Sequence, residues 1–191
     1  MEQSSSKVFR RYFNIRIMKK ILLSVLFISL FSLAHTQSFT DAIAYNDYII
    51  EQQNLVGADI LAFVDKFNDS EMTKAAILPT LEKLLKTAKT ALAAVEKIEP
   101  FEGDSQLKPA AVKLFQFYVK VIDSDYRTMV DMLYGGELTD DVSSKLNTLV
   151  EKIQTDEASI DLNFATAQAA FAEKHNIELM KNELQEEFGK D

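Results

Sequence analysis

Apolar residues recur at three- and four-residue intervals over most of this chain. The longest such stretch, 139–188, contains no proline and no glycine and carries Val142, Leu146, Leu149, Ile153, Ile160, Phe164, Ala167 and Phe171. That interval lays one apolar stripe along one side of a helix. Three further stretches share the period and predict helices over 40–67, 70–98 and 106–134. The first puts Ala42, Asn46, Ile49, Gln53, Val56, Ile60, Phe63 and Phe67 inward, two of them polar. The second is built on Leu81, Leu84, Leu85, Ala88, Ala91, Leu92, Val95 and Ile98. Pro79 lies inside it, where it is expected to kink the helix or split off a short first piece. The third stripe is wide and aromatic: Ala111, Leu114, Phe115, Tyr118, Val119, Ile122, Tyr126, Met129 and Leu133.

Thr40, Ser105 and Thr139 read as N-caps, and Gly135-Gly136 as a helix stop. Four amphipathic helices joined by short turns predict an all-α, antiparallel up-down-up-down four-helix bundle with a long fourth helix. A helix over all of 139–188 would be ~75 Å long against ~42 Å for a partner of about 28 residues, at ~1.5 Å per residue. The stripe also changes phase after Phe171, its next set being Ile177, Met180, Leu184 and Phe188. A bend or break is therefore expected near 174–176, or a tail that runs past the bundle.

Charge divides the 191 residues unevenly. The formal total is −8, but residues 1–36 hold six basic groups and only Glu2 as an acid, so 37–191 balances at −13. Lys19-Lys20, then the apolar run 21–34, then small residues read as a secretory signal peptide over 18–36 with cleavage near Thr36. The run is shorter than the ~20 residues a spanning helix needs, so no stable membrane anchor is expected after cleavage. Residues 1–17 read as an upstream extension and 37–191 as one helical domain, placing the mature protein outside the cytoplasm. Its acidity argues against nucleic acid as a partner. The absence of cysteine excludes disulfides, thiolate nucleophiles and lipid attachment to an N-terminal cysteine.

Candidate chemistry is sparse. A di-metal bundle needs two Glu-x-x-His pairs, whereas 37–191 has only His175, with Ala172 three positions before it. His175 with Glu178 reads as a surface pair on an acidic helix, with a weak metal site as the less favoured alternative. Asp123-Ser124-Asp125 starts like a calcium loop without its later ligands, and reads as the exposed side of the third helix. Asn68-Asp69-Ser70 formally fits a glycosylation acceptor. No catalytic, cofactor-binding or metal-binding set is expected, and the protein is not expected to be an enzyme.

One polar pattern has geometric content. Up-down-up-down topology brings Tyr45, Asn46 and Gln53 to the same end as Phe115, Tyr118, Asn163, Phe164 and Phe171, opposite an alanine-rich wall at 88–94. These groups either line a ligand pocket or pair with one another and fix helix register. Phe101, Phe117 and Leu162 are expected to face outward and to form any apolar patch that meets a partner.

The stretch Ala44-Tyr45-Asn46-Asp47-Tyr48-Ile49-Ile50-Glu51-Gln52-Gln53 resembles the opening of uncharacterised exported or surface α-helical proteins of the Bacteroidota and spirochaete type. Many of those are lipoproteins, and this chain departs from them in having no cysteine to lipidate. The resemblance implies a bacterial exported helical bundle and supplies no activity. Together these readings predict an envelope interaction or binding module whose partner is an unknown protein or small ligand. The alternative is a small-ligand or metal carrier using the Asn46/Gln53 end.

Overall fold

Asp41, not Thr40, begins the bundle: its carboxylate accepts the Ala44 backbone N–H at 2.7 Å and so caps helix α1, Ala42–Phe67. The computed structural model describes residues 39–67, 69 and 71–179. The signal peptide, the extension before it, the outer residues of the 68–70 acceptor and the 180–191 segment lie outside them. Thr73 caps α2, Lys74–Lys97, by accepting from Ala76 N–H. This helix starts four residues later than its apolar pattern implies. It continues through Pro79, which stands in its second turn and forgoes only one backbone hydrogen bond.

A short 3₁₀ turn, Phe101–Gly103, then reverses the chain. Glu102 and Gly103 there adopt positive φ values of 46° and 72°, and the glycine relieves one of the two. Asp104 rather than Ser105 caps the third helix. Its carboxylate accepts from Leu107 N–H at 2.7 Å and from Gln106 N–H at 3.2 Å while being itself buried. Both residues are good caps by type, and the reverse turn decides which one faces the helix end.

The third helix, α3, is one rod in three segments: Leu107–Lys120, a π-helical turn Val121–Tyr126, and Arg127–Tyr134. The π turn accommodates one more residue per turn and rotates the segment beyond it. Asp125, expected on the exposed side, is buried, three residues after Ile122 and four before Met129 on the same inward stripe. Thr139 caps α4, Asp140–Lys174, and Asp140 and Asp141 sit in its positively polarised first turn.

The expected break comes at 174–176 and has a clear cause. Asn176 takes φ 53°, Ile177 N–H bonds to Ala172 carbonyl at 2.8 Å, and Asn176 N–H bonds to Glu173 carbonyl at 3.3 Å. These two bonds define a Schellman stop, with asparagine in the left-handed position that glycine usually takes.

Among the described residues the fold is all-helical, without strands, and the four helices run antiparallel, up-down-up-down. Backbones approach closely between α1 and α2, α2 and α3, and α3 and α4, whereas α1 and α4 stay farther apart and are bridged by side chains. The core is one continuous cluster. Asp59 ties α1 to α2 through Lys83 and Thr87. Burial pushes its carboxyl up, but those hydrogen bonds outweigh it and hold the pKa below the usual range.

Candidate functional site

The end where α1 starts and α4 stops is an aromatic layer. Tyr45 is fully buried there and its ring centroid lies 5.0 Å from Phe39, 5.6 Å from Phe101 and 5.6 Å from Phe171. His175 completes the layer, 4.5 Å from Phe171 and 5.3 Å from Phe101. The surface pair read from sequence is therefore corrected. The Schellman stop turns the His175 imidazole, 10% exposed, into the layer and leaves Glu178 exposed. Nδ1 of His175 lies 3.8 Å from the Glu102 carboxylate. Two polar atoms in this layer, the Tyr45 hydroxyl oxygen and His175 Nε2, are buried without a hydrogen-bond partner. Burial pushes the Tyr45 phenol up to about 12. The Phe101 backbone acts in the opposite direction without closing a hydrogen bond of ordinary geometry. Phe101, expected outside, belongs to this layer because the 3₁₀ turn folds it back over Tyr45.

Of the amides singled out by sequence, Gln53 donates to the Tyr118 hydroxyl at 3.3 Å. Asn46 is buried and accepts from Gln168 Nε2 at 2.8 Å, which bridges α1 to α4. Asn163 does not join them. It is exposed, because it precedes the inward Phe164 by one residue and so points about 100° away. Gln168 is the residue that sequence reasoning missed. It lies four residues after Phe164 and three before Phe171, on the same stripe, and that spacing was the available signal. The alanine wall is also half wrong: Ala88 and Ala91 are buried, but Ala93 is exposed and Ala94 only half-buried.

Farther down the bundle the π turn organises a second polar group. Tyr118 and Tyr126 face α4, where Glu157 and Asp161 stand one turn apart. Burial raises both phenols, and the α4 carboxylates raise them further: Asp161 and Glu157 act on Tyr118, Glu157 on Tyr126. Burial, then the charge of Glu157, pushes Asp161 up to about 7, although its side chain is not fully enclosed. Asp125 accepts from Ser124 at 3.2 Å, and its other oxygen faces Lys152 at 3.7 Å. These contacts set register between α3 and α4.

The outer face of α2 differs in kind. Glu82, Leu85, Lys86, Lys89, Thr90, Ala93, Ala94 and Lys97 border an open trough along it. Glu82 is held by Arg127 at 2.8 Å, and Lys89 reaches Asp123 only at 3.8 Å. Lys86 and Lys97 have no carboxylate within ion-pair distance among the described residues. The helix carries five lysines against two glutamates, whereas α4 carries three lysines against seven acids. The large exposed apolar side chains are Ile43, Leu55 and Leu162, on α1 and α4, not Phe101 or the half-buried Phe117.

No family model, curated protein or solved structure matches the chain. Among the described residues no helix is long and apolar enough to cross a membrane.

Proposed function

We propose that this protein is an exported, non-enzymatic helical-bundle module that binds a partner in the cell envelope, and that it binds through the basic outer face of α2. One observation carries this reading: an open lysine-bordered trough, with two cations unpaired among the described residues, on a chain that is otherwise strongly acidic. Local charge of sign opposite to the whole steers an acidic partner to one face and repels it from the rest. The alanine floor lets a helix or strand approach the backbone closely. The non-enzymatic part is supported by where the inward polar groups are used. Tyr118 and Asn46 are engaged with Gln53 and Gln168, and the three raised phenols stay protonated near neutral pH, which suits packing more than proton transfer.

The test uses the exported chain as bait in envelope extracts at low and moderate salt. Lys86→Glu/Lys97→Glu is expected to lose the retained acidic partner, while Lys145→Glu/Lys152→Glu on α4 keeps it. Equal retention by wild type and the α2 double variant would overturn the assignment of the face.

A further inference from the structure

The outward side of α1 is the electrostatic counterpart of the α2 trough. On α2, Lys83, Lys86, Thr90, Ala93 and Lys97 follow one another at intervals of three and four, and all five are exposed. On α1, Glu51, Leu55, Ala58, Ala62 and Asp65 repeat those intervals in the opposite order, all exposed except the half-buried Glu51. Such spacing forms the seam of two helices packed side by side. The two stripes differ in sign. α1 has no basic residue before Lys66, and Lys66 turns aside to Thr80 at 3.1 Å. Among the described residues Glu51 and Asp65 have no cation within ion-pair distance, just as Lys86 and Lys97 have no carboxylate. Between the charged ends stand small side chains and Leu55, which is 51% exposed.

The lengths agree as well. Glu51 to Asp65 and Lys97 to Lys83 are each 14 positions apart, ~21 Å at ~1.5 Å per residue. Laid antiparallel, Glu51 meets Lys97, Leu55 meets Ala93, Ala58 meets Thr90 and Ala62 meets Lys86. Asp65 then falls beside Lys83 and Lys86; Asp59 already holds Lys83, so Lys86 is the free cation there. A parallel course leaves Asp65 beyond the end of α2 and brings Asp47 to Glu82, like charge to like. Within one chain the contact cannot form, because α1 and α2 pack on each other through other sides and both stripes face outward. We infer that the acidic partner of the α2 trough is the α1 face of a second copy of this chain. Since α1 and α2 lie side by side and antiparallel, one pair of chains can make the contact twice about a two-fold axis along the helices. Faces this narrow belong with transient interfaces of ~1,200 Å² or less, so the pairing is weak and salt-sensitive. The inference rests on the binding reading above for the choice of face.

The test is sedimentation velocity of the exported chain over a wide concentration range at low salt. Lys86→Glu/Lys97→Glu and Glu51→Lys/Asp65→Lys should each weaken self-association on the order of tenfold. An equimolar mixture of the two should associate at close to wild-type strength, because each supplies the charge that the other has lost. A wild-type chain that stays monomeric throughout overturns the inference, and so does a mixture no stronger than its components. The chain has no cysteine, so engineered thiols give a second readout without background. Leu55→Cys chains mixed with Ala93→Cys chains should form the mixed disulfide on the order of ten times faster than Leu162→Cys chains, exposed on α4, mixed with Ala93→Cys chains. Equal rates overturn the pairing. The two proposals fail separately. If every chain is monomeric and Lys86→Glu/Lys97→Glu still loses an envelope protein, self-pairing falls and the binding reading stands. If pairing follows the charge swap but wild type and Lys86→Glu/Lys97→Glu retain the same envelope proteins, self-pairing stands and the envelope-partner reading falls.

Discussion

The aromatic end of the bundle and its middle hold polar groups in different ways. At the end, the Tyr45 hydroxyl and His175 Nε2 are sealed off without partners. In the middle, Asp125 Oδ2 and Gln154 Nε2 also lack a hydrogen-bond partner, but Lys152 faces Asp125 at 3.7 Å, Gln53 serves Tyr118, and the charges of Glu157 and Asp161 act on two phenols beside the π turn. An orphaned buried polar atom costs about 1–3 kcal/mol. Each ring at the end buries on the order of 150–250 Å², and contact between rings adds about 0.5–1.5 kcal/mol per pair. Ring burial therefore tolerates two orphans at the end. The middle packs rings too, Phe63 on Tyr126 at 5.6 Å and Phe115 on Tyr118 at 5.9 Å, and it adds polar pairing between helices through Gln53 and Tyr118. Burial of a polar atom alone therefore does not mark a site. What marks one is whether the surrounding apolar contacts already explain the burial.

The most damaging way to break this comparison is Phe171→Ala. The ring is fully enclosed and touches Tyr45, Phe101 and His175 at once. Its loss is expected to cost about 3–5 kcal/mol of unfolding free energy. Phe117→Ala, half-buried beside Tyr118 in the middle, should cost less than half as much. Denaturant titration of both variants checks this, and a Phe171→Ala loss no larger than that of Phe117→Ala would show that the aromatic layer does not carry the end.

Next in size is Asp104→Ala. This buried carboxylate takes two N–H groups at the start of α3, just beneath the turn that carries Phe101. Its removal should cost about 2 kcal/mol, at the upper side of the range for caps, because no water replaces it freely. Thr139→Ala removes an exposed cap at α4 and should cost about 1 kcal/mol or less. Amide exchange at Gln106 and Leu107 gives the local readout. Unchanged protection there in Asp104→Ala would rule the cap out as the origin of any loss.

How much of the molecule is legible in its sequence depends on the type of signal. The four helices and the Thr139 cap are carried by period and composition, and the stop near 174–176 by the phase change after Phe171. The π turn is not, because its sequence keeps ordinary helical apolar spacing on both sides and the extra residue shows only in the backbone. Asp125, by contrast, holds an inward position by spacing, three after Ile122 and four before Met129, and only its charge makes it read as exposed. Asn163 is displaced by one residue on a helix, which is enough to turn it from the core, while Gln168 holds the inward stripe position. His175 reads as surface from its neighbours Lys174 and Asn176. Only the left-handed turn at Asn176 brings it back under Phe101.

The smallest effect tests the middle. The folded chain holds a proton on Asp161 up to about pH 7 because burial, helped by Glu157, disfavours the anion. In the unfolded chain that carboxyl ionises near its ordinary value of 3.8. Between those values the folded state binds more protons than the unfolded state, so this group's contribution to stability is full below about pH 4 and is lost as pH rises toward 7. Asp161→Asn keeps the shape and removes the ionisation. It should be near neutral at pH 4 and stabilising by about 1 kcal/mol at pH 8, well short of full burial because water still reaches part of the side chain. Melting temperatures of the variant and wild type taken together across that range isolate the term, since Asp59, with its lowered pKa, contributes equally to both chains and cancels. A difference that does not change with pH would mean that the middle of the bundle accommodates the charged carboxylate after all. Its polar groups would then resemble those of a solvated seam rather than a paired interior.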